Sequence, residues 1–124
     1  MKNNLLSVAL VFALVLFSLV SYAQQRPIGT PEERATRQTA RMKDVLKLSP
    51  EQEPSVADIN LKYAKQAQSL METGGRNLKT MREAKAMMNS KDKEMKEVLT
   101  KDQYKQYEAL RDEMRSAMRE RRRQ

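Results

Sequence analysis

Two copies of one helix-start motif limit how this chain can fold. The sequence Leu-Ser-Pro-Glu-Gln at residues 48–52 returns as Leu-Thr-Lys-Asp-Gln at residues 99–103. In each copy, the Ser or Thr hydroxyl can accept a backbone hydrogen bond at a helix start, and the Gln can bind the backbone of the capping residue. The motifs therefore predict two helix starts 51 residues apart. The motif positions are Leu48, Ser49, Gln52, Leu99, Thr100 and Gln103.

The first 23 residues have the pattern of a signal peptide. A single lysine precedes the uncharged apolar run Leu5–Val20, and small residues follow at the positions that a signal peptidase reads. We therefore predict cleavage after Ala23, export to the periplasm, a flexible lead over residues 24–29 and a helical domain over residues 30–124. An uncleaved membrane anchor is the alternative, because about 17 apolar residues can just span a bilayer.

The rest of the chain has the composition of an all-α protein. It is rich in Ala, Met, Glu, Lys, Arg and Gln, which favour helices, and no stretch has the alternation of a strand. It contains all 16 acidic residues and 23 of the 24 Lys and Arg residues. With no cysteine for a disulfide and a thin core, such a chain is expected to gain stability by forming a homodimer.

Four helices are predicted after the lead. They begin at Thr30, at Ser49, at Arg76 and at Thr100, and the last extends to about Arg122. The glycine pair at residues 74–75 predicts a hairpin turn between the second and third helices, because glycine readily ends a helix. One long helix that is kinked at the glycines is the alternative.

Apolar residues at helical spacing predict which side chains these helices bury. The predicted core positions are Ala35, Met42, Val45, Leu46 and Leu48 in the first helix, Val56, Ile59, Tyr63 and Leu70 in the second, Leu78, Met81, Met88, Met95 and Leu99 in the third, and Tyr107, Leu110, Met114 and Ala117 in the fourth.

The paired Leu-Ser/Thr-x-x-Gln motifs, in an exported, Met-rich and charged helical chain, resemble the LTxxQ family of bacterial periplasmic proteins. This family includes the Spy-like and CpxP-like proteins and is related to zinc resistance-associated proteins. The resemblance implies four helices with a long antiparallel hairpin, paired into a thin, curved, cradle-like dimer. It also implies one of three functions, because the family contains an ATP-independent chaperone, a protein that restrains an envelope-stress sensor, and metal-binding members.

The residue types present argue against a metal site and against catalysis. The chain has no His and no Cys, which are the ligands that zinc prefers. Methionine suits copper(I) or silver(I), and Met114 and Met118 are one helical turn apart, but methionines at this spacing more often fill a core. No nucleophile-elbow or phosphate-loop pattern is present. We therefore predict no metal, no cofactor and no enzymatic activity.

A chaperone-like function uses features that the chain has. Methionine makes adaptable apolar contacts, and the positive charge attracts acidic or mixed segments of other proteins. We predict binding of unfolded exported proteins, with regulation of a membrane stress sensor as the alternative. The basic positions predicted to bind these partners are Arg34, Arg37, Arg41, Lys43, Lys47, Lys62, Lys65, Arg111, Arg115 and Arg119.

A pI near 9.9 could attract two other partners. Nucleic acid is not expected, because the chain has the pattern of an export signal and has almost no aromatic residues among its basic ones. Weak contact of the terminal arginines with an anionic membrane surface stays open.

Overall fold

The computed structural model describes residues 29–124, which contain four helices and no strand. The helices are α1 (Pro31–Leu46), α2 (Gln52–Thr73), α3 (Leu78–Val98) and α4 (Lys101–Arg123). The predicted all-α class with four helices is confirmed. The predicted signal peptide, its cleavage site and residues 24–28 of the lead lie outside the described residues.

Side-chain caps begin α1 and α4 where the sequence predicts them. The hydroxyl of Thr30 accepts from the backbone N–H of Glu33 at 3.2 Å, and the Glu33 carboxylate accepts from the backbone N–H of Thr30 at 3.1 Å. Thr100 and Gln103 form the same reciprocal pair at 3.2 and 3.0 Å. Both helices therefore begin with a capping box.

The other two helices begin later than predicted. Residues 50–51 form a turn, so α2 begins at Gln52 instead of Ser49, although Ser49 still makes both capping hydrogen bonds. The start of α3 moves from Arg76 to Leu78, because the Asn77 side chain accepts from the Thr80 N–H at 2.9 Å and acts as the cap.

Helices α1 and α2 run antiparallel. Arg34 near the start of α1 donates to Gln68 near the end of α2 at 3.0 Å, whereas Lys43 near the end of α1 pairs with Glu53 near the start of α2 at 2.8 Å. Between them, Asn60 is fully buried and donates to the Thr39 hydroxyl at 2.9 Å.

The chain breaks at the glycine pair and α3 then packs against α2. Helix α2 ends at Thr73, and Gly75 has a φ of 64°, which favours glycine. Further along the two helices, the Glu94 carboxylate of α3 accepts from Lys62 at 2.5 Å and from the Tyr63 hydroxyl at 2.7 Å. These bonds hold the second half of α3 against the middle of α2.

The core lies where the ends of α1 and α3 meet the starts of α2 and α4. The predicted core positions buried there are Met42, Leu46, Leu48, Val56, Ile59, Tyr63, Met95, Leu99 and Tyr107. Ala35 near the start of α1 is also buried, as predicted. Predicted core positions Leu70, Met88 and Leu110 are half-buried.

The burial predicted for Val45, Leu78, Met81, Met114 and Ala117 is wrong, because all five side chains are exposed. Within residues 29–124, the buried cluster is confined to the region where the motif-bearing helix ends meet. The first turns of α3 and the second half of α4 lie outside this cluster, so their apolar residues remain in contact with solvent.

Candidate binding surfaces

The two capping motifs contact each other. The Gln52 amide nitrogen donates to the Gln103 amide oxygen at 2.7 Å, and the Gln103 amide nitrogen donates to the Gln52 amide oxygen at 3.1 Å. Each amide oxygen also accepts from its own cap, the N–H of Ser49 at 2.9 Å or of Thr100 at 3.0 Å. Residues 51 positions apart therefore form one hydrogen-bonded cluster, which we call the glutamine pair.

The glutamine pair also joins the ends of two other helices. Gln52 donates to the Val98 carbonyl at the end of α3 at 3.1 Å, and Gln103 donates to the Leu46 carbonyl at the end of α1 at 3.2 Å. Such terminal carbonyls have no partner within their own helix. Because these amide groups are used internally, the motif residues hold the fold together and offer little to a ligand.

Most of the predicted basic positions in α1 and α2 already have protein partners. Arg34 is half-buried and donates to the carbonyls of Gly29 and Ala64 and to Gln68. Arg37 also makes an interaction. Four further positions form ion pairs, namely Arg41 with Glu113, Lys43 with Glu53, Lys62 with Glu94 and Lys65 with Glu32.

The remaining predicted positions divide into two groups. Lys47 is the left-handed C-cap of α1, and Arg111 is half-buried in an ion pair with Asp92. Arg115 and Arg119 are exposed, and neither has an acidic partner among residues 29–124. Five of the ten predicted basic residues, Arg41, Lys43, Lys62, Lys65 and Arg111, are therefore paired with acidic residues of other helices.

The excess positive charge lies in the second half of the fold. Helices α1 and α2 together carry six basic and six acidic residues, whereas α3 and α4 carry fourteen basic and nine acidic residues. An attractive field for acidic partners is therefore expected around α3 and α4.

Asp92 attaches α4 to α3. Its carboxylate accepts from the Tyr107 hydroxyl at 2.9 Å and pairs with Arg111. Burial and the bond to Asp92 raise the pKa of Tyr107 well above its usual value. Arg111 therefore serves the fold and is not available to a partner.

Lys91 is a buried cation in α3. Its side chain is 6% exposed and donates to the Gln38 amide oxygen of α1 at 3.1 Å. Burial lowers the pKa of Lys91 from 10.5 to about 8, although neighbouring Asp92 acts in the opposite direction. The folded protein therefore releases this proton at lower pH than the unfolded chain does.

We expect the free energy of unfolding to rise by about 1.5 kcal/mol between about pH 8 and about pH 9.5, because in this window the unfolded chain binds more protons at Lys91. The raised pKa values of Tyr63 and Tyr107 act in the opposite direction only above about pH 10. Urea denaturation of the wild type and of Lys91→Met measures the effect. The variant should lose the rise, and a rise that persists in the variant would show that another group causes it.

Three large apolar side chains are exposed around the glycine turn. Met71 at the end of α2 is 58% exposed, and Leu78 and Met81 at the start of α3 are 62% and 69% exposed. Arg76 in the turn and Arg82 near the start of α3 are also exposed and have no acidic partner among residues 29–124. We call these five residues the Gly-turn surface.

Hydrogen bonds fix the backbone beneath the Gly-turn surface. The Gly74 carbonyl accepts from the Thr80 hydroxyl at 2.5 Å and from the Asn77 side chain at 2.9 Å. A Cβ atom at Gly74 would lie 2.6 Å from the Leu70 carbonyl oxygen, so this close turn requires glycine. The sequence predicted the turn, but the spacing of the apolar residues wrongly predicted that Leu78 and Met81 would be buried.

The C-terminal end of α4 exposes a second apolar and basic surface. Every residue from 112 to 124 is exposed, and we call this segment the α4 tail. It contains Met114 and Met118, which lie one turn apart and, with Arg41, Glu113, Ala117 and Arg121, line a shallow cleft of 230 Å³. Beyond Met114 there are five arginines and one acidic residue, Glu120.

The part of the chain that the structure describes contains no group of three His, Cys, Asp or Glu side chains that could hold a metal ion. Within the same range, no helix combines the length and the apolar character that crossing a bilayer requires.

These features define a small all-α protein in which a glutamine pair joins four helix ends and two surfaces expose apolar and basic side chains. The chain belongs to the family described as a domain of unknown function, DUF4890, whose model matches residues 22–107. The match includes both motifs and the Gly-turn surface and ends before the α4 tail. Comparisons with curated proteins and with solved structures gave no match.

Proposed function

We propose that this protein is a periplasmic, ATP-independent chaperone-like protein that binds unfolded or partly folded polypeptides. The observation that carries the proposal is the Gly-turn surface. It exposes three apolar side chains by more than half beside two arginines that have no acidic partner among residues 29–124. We also propose that the chain is related to the LTxxQ family, with which its paired motifs and its signal-peptide pattern agree. A homodimer is a further part of the proposal.

The chemistry of the Gly-turn surface suits many different clients. Exposed apolar side chains on both sides of the glycine turn provide contacts for the apolar segments that an unfolded chain reveals. Two of the three are methionines, whose flexible side chains adapt to different partners. Arg76 and Arg82 add attraction for acidic segments. The surface therefore combines weak, adaptable binding with electrostatic capture.

Aggregation of two unrelated, chemically denatured enzymes tests this function. We expect the purified protein to suppress light scattering from both clients without ATP, and about 0.5 M salt to weaken the suppression by screening the arginines. Suppression of neither client would contradict the proposal.

A regulatory module that binds one membrane sensor is the second candidate. The observation that favours it is the hydrogen-bonded turn beneath the Gly-turn surface, which gives that surface one defined backbone shape. A regulator should ignore both denatured enzymes and bind a single folded sensor domain. The same light-scattering assay therefore distinguishes the two functions.

A further inference from the structure

We infer that the α4 tail binds the surface of anionic phospholipid membranes. This contact uses residues 112–124 and is independent of the Gly-turn surface and of chaperone-like binding. It is also distinct from membrane spanning, because the tail is charged and would lie along the bilayer surface.

The charges of the α4 tail are not balanced by its own acidic residues. Glu113 is paired with Arg41 at 3.1 Å, and Asp112 lies 3.6 Å from Arg111, so both carboxylates at the start of the tail face cations that precede it. Glu120 is the only acidic residue after Glu113. Beyond Met114, the five arginines and Glu120 together therefore leave an excess of four positive charges.

The helix dipole does not account for all of these arginines. Cations in the last turn of a helix interact favourably with its C-terminal carbonyls, which explains Arg121, Arg122 and Arg123. Arg115 and Arg119 lie further back, where the dipole effect has faded. Both are exposed and have no acidic partner in the described range.

Helical geometry places the basic and apolar residues of the tail together. At 3.6 residues per turn, Met114 and Met118 share a face, with Arg115 and Arg122 along one side of it. Glu120 falls on the far side of the helix. The tail therefore presents a narrow apolar stripe with arginines beside it and its acidic residue turned away.

This arrangement fits an anionic lipid surface better than an acidic protein. Exposed methionine side chains of a surface helix can enter the boundary between headgroups and acyl chains, while arginine stems follow them and guanidinium groups bind phosphate in a bidentate manner. A bilayer offers a continuous anionic plane and needs no groove of matching shape. All thirteen residues of the tail are exposed, so the whole segment can lie on such a plane.

Vesicle co-sedimentation tests the inference on the exported protein. We expect binding to be about tenfold tighter or more on phosphatidylcholine vesicles with about 30% phosphatidylglycerol than on phosphatidylcholine alone. This preference should disappear in about 0.5 M salt. If the N-terminal apolar segment were retained, it would add binding to both kinds of vesicle, so the ratio of the two affinities reports on charge.

Two variants that each lose three positive charges test whether the preference for anionic vesicles comes from the α4 tail. Arg115→Gln/Arg119→Gln/Arg122→Gln should bind both kinds of vesicle equally. The control, Lys93→Gln/Lys101→Gln/Lys105→Gln, changes exposed lysines that have no acidic partner among residues 29–124 and should keep the preference. Circular dichroism checks that both variants remain helical.

Three outcomes would overturn the inference. The tail variant could keep the preference, or the control could lose it equally, which would mean that net charge alone attracts the protein. The wild type could also bind soluble polyglutamate but neither kind of vesicle, which would identify an acidic polypeptide as the partner. Chaperone-like activity can be present or absent in each case, so the two proposals fail separately.

Discussion

Replacing Gln103 with alanine is expected to lower the free energy of unfolding by about 2–4 kcal/mol. The substitution removes half of a capping box, which contributes about 1 kcal/mol. It also leaves the Leu46 carbonyl and the Gln52 amide without a partner. Such a loss costs about 1–3 kcal/mol for a fully buried group, and these two groups are only half-buried, so each is expected to cost about 1 kcal/mol. For a small domain with a thin core, this is a large part of the total stability.

The double variant tests whether the two glutamines act as one unit. Gln52→Ala should destabilise by a similar amount, and the loss in Gln52→Ala/Gln103→Ala should fall short of the sum by about 1 kcal/mol, because both single variants disrupt the same hydrogen bonds. Urea denaturation monitored by circular dichroism measures all three. Gln106→Ala, on the exposed face of α4, is the control and should change stability by less than about 0.5 kcal/mol. Strict additivity of Gln52→Ala and Gln103→Ala would contradict the glutamine pair.

The starts of α1 and α4 could be predicted from the sequence because capping is local chemistry. Thr30 and Thr100 cap their helices through residues three positions later, so a short stretch of sequence contains all the information. The buried face of α2 was equally readable, since Val56, Ile59 and Tyr63 repeat with the helical period and are buried.

Contacts between distant residues could not be predicted in the same way. Arg41 and Glu113 are 72 positions apart, and nothing in either segment identifies the other as its partner. Five of the ten basic residues predicted to bind partners are neutralised by acidic residues of other helices. The similar sequences of the two motifs indicated that both begin helices, although they did not show that Gln52 and Gln103 form hydrogen bonds with each other.

Periodicity also fails to reveal where a core ends. Leu78 and Met81 continue the same apolar spacing as Met95, yet Met95 is fully buried and the other two are exposed. The spacing identifies one face of α3, whereas burial depends on whether another helix covers that part of the face. The Gly-turn surface lies where such cover is missing, which is why sequence reasoning did not identify it.

Removing the apolar side chains of the Gly-turn surface is expected to abolish chaperone-like activity. In Met71→Ser/Leu78→Ser/Met81→Ser, each substitution removes contact area that a client would bury, and together they should raise the concentration needed for half-suppression by at least about tenfold. Stability should change little, because these side chains are already more than half exposed.

A matched variant separates this surface from exposed methionines in general. Met114→Ser/Met118→Ser alters the two exposed methionines of the α4 tail and leaves the Gly-turn surface intact. We expect it to suppress aggregation as the wild type does. Both variants should keep the helical circular dichroism signal and the denaturation midpoint of the wild type.

Light scattering of the two denatured enzymes, measured without ATP for the wild type and both serine variants, tests whether clients bind at the Gly-turn surface. We expect the wild type and the tail variant to suppress aggregation of both clients, and the Gly-turn variant to suppress neither at the same concentrations. Suppression by the Gly-turn variant at wild-type concentrations would instead show that clients bind elsewhere on the protein.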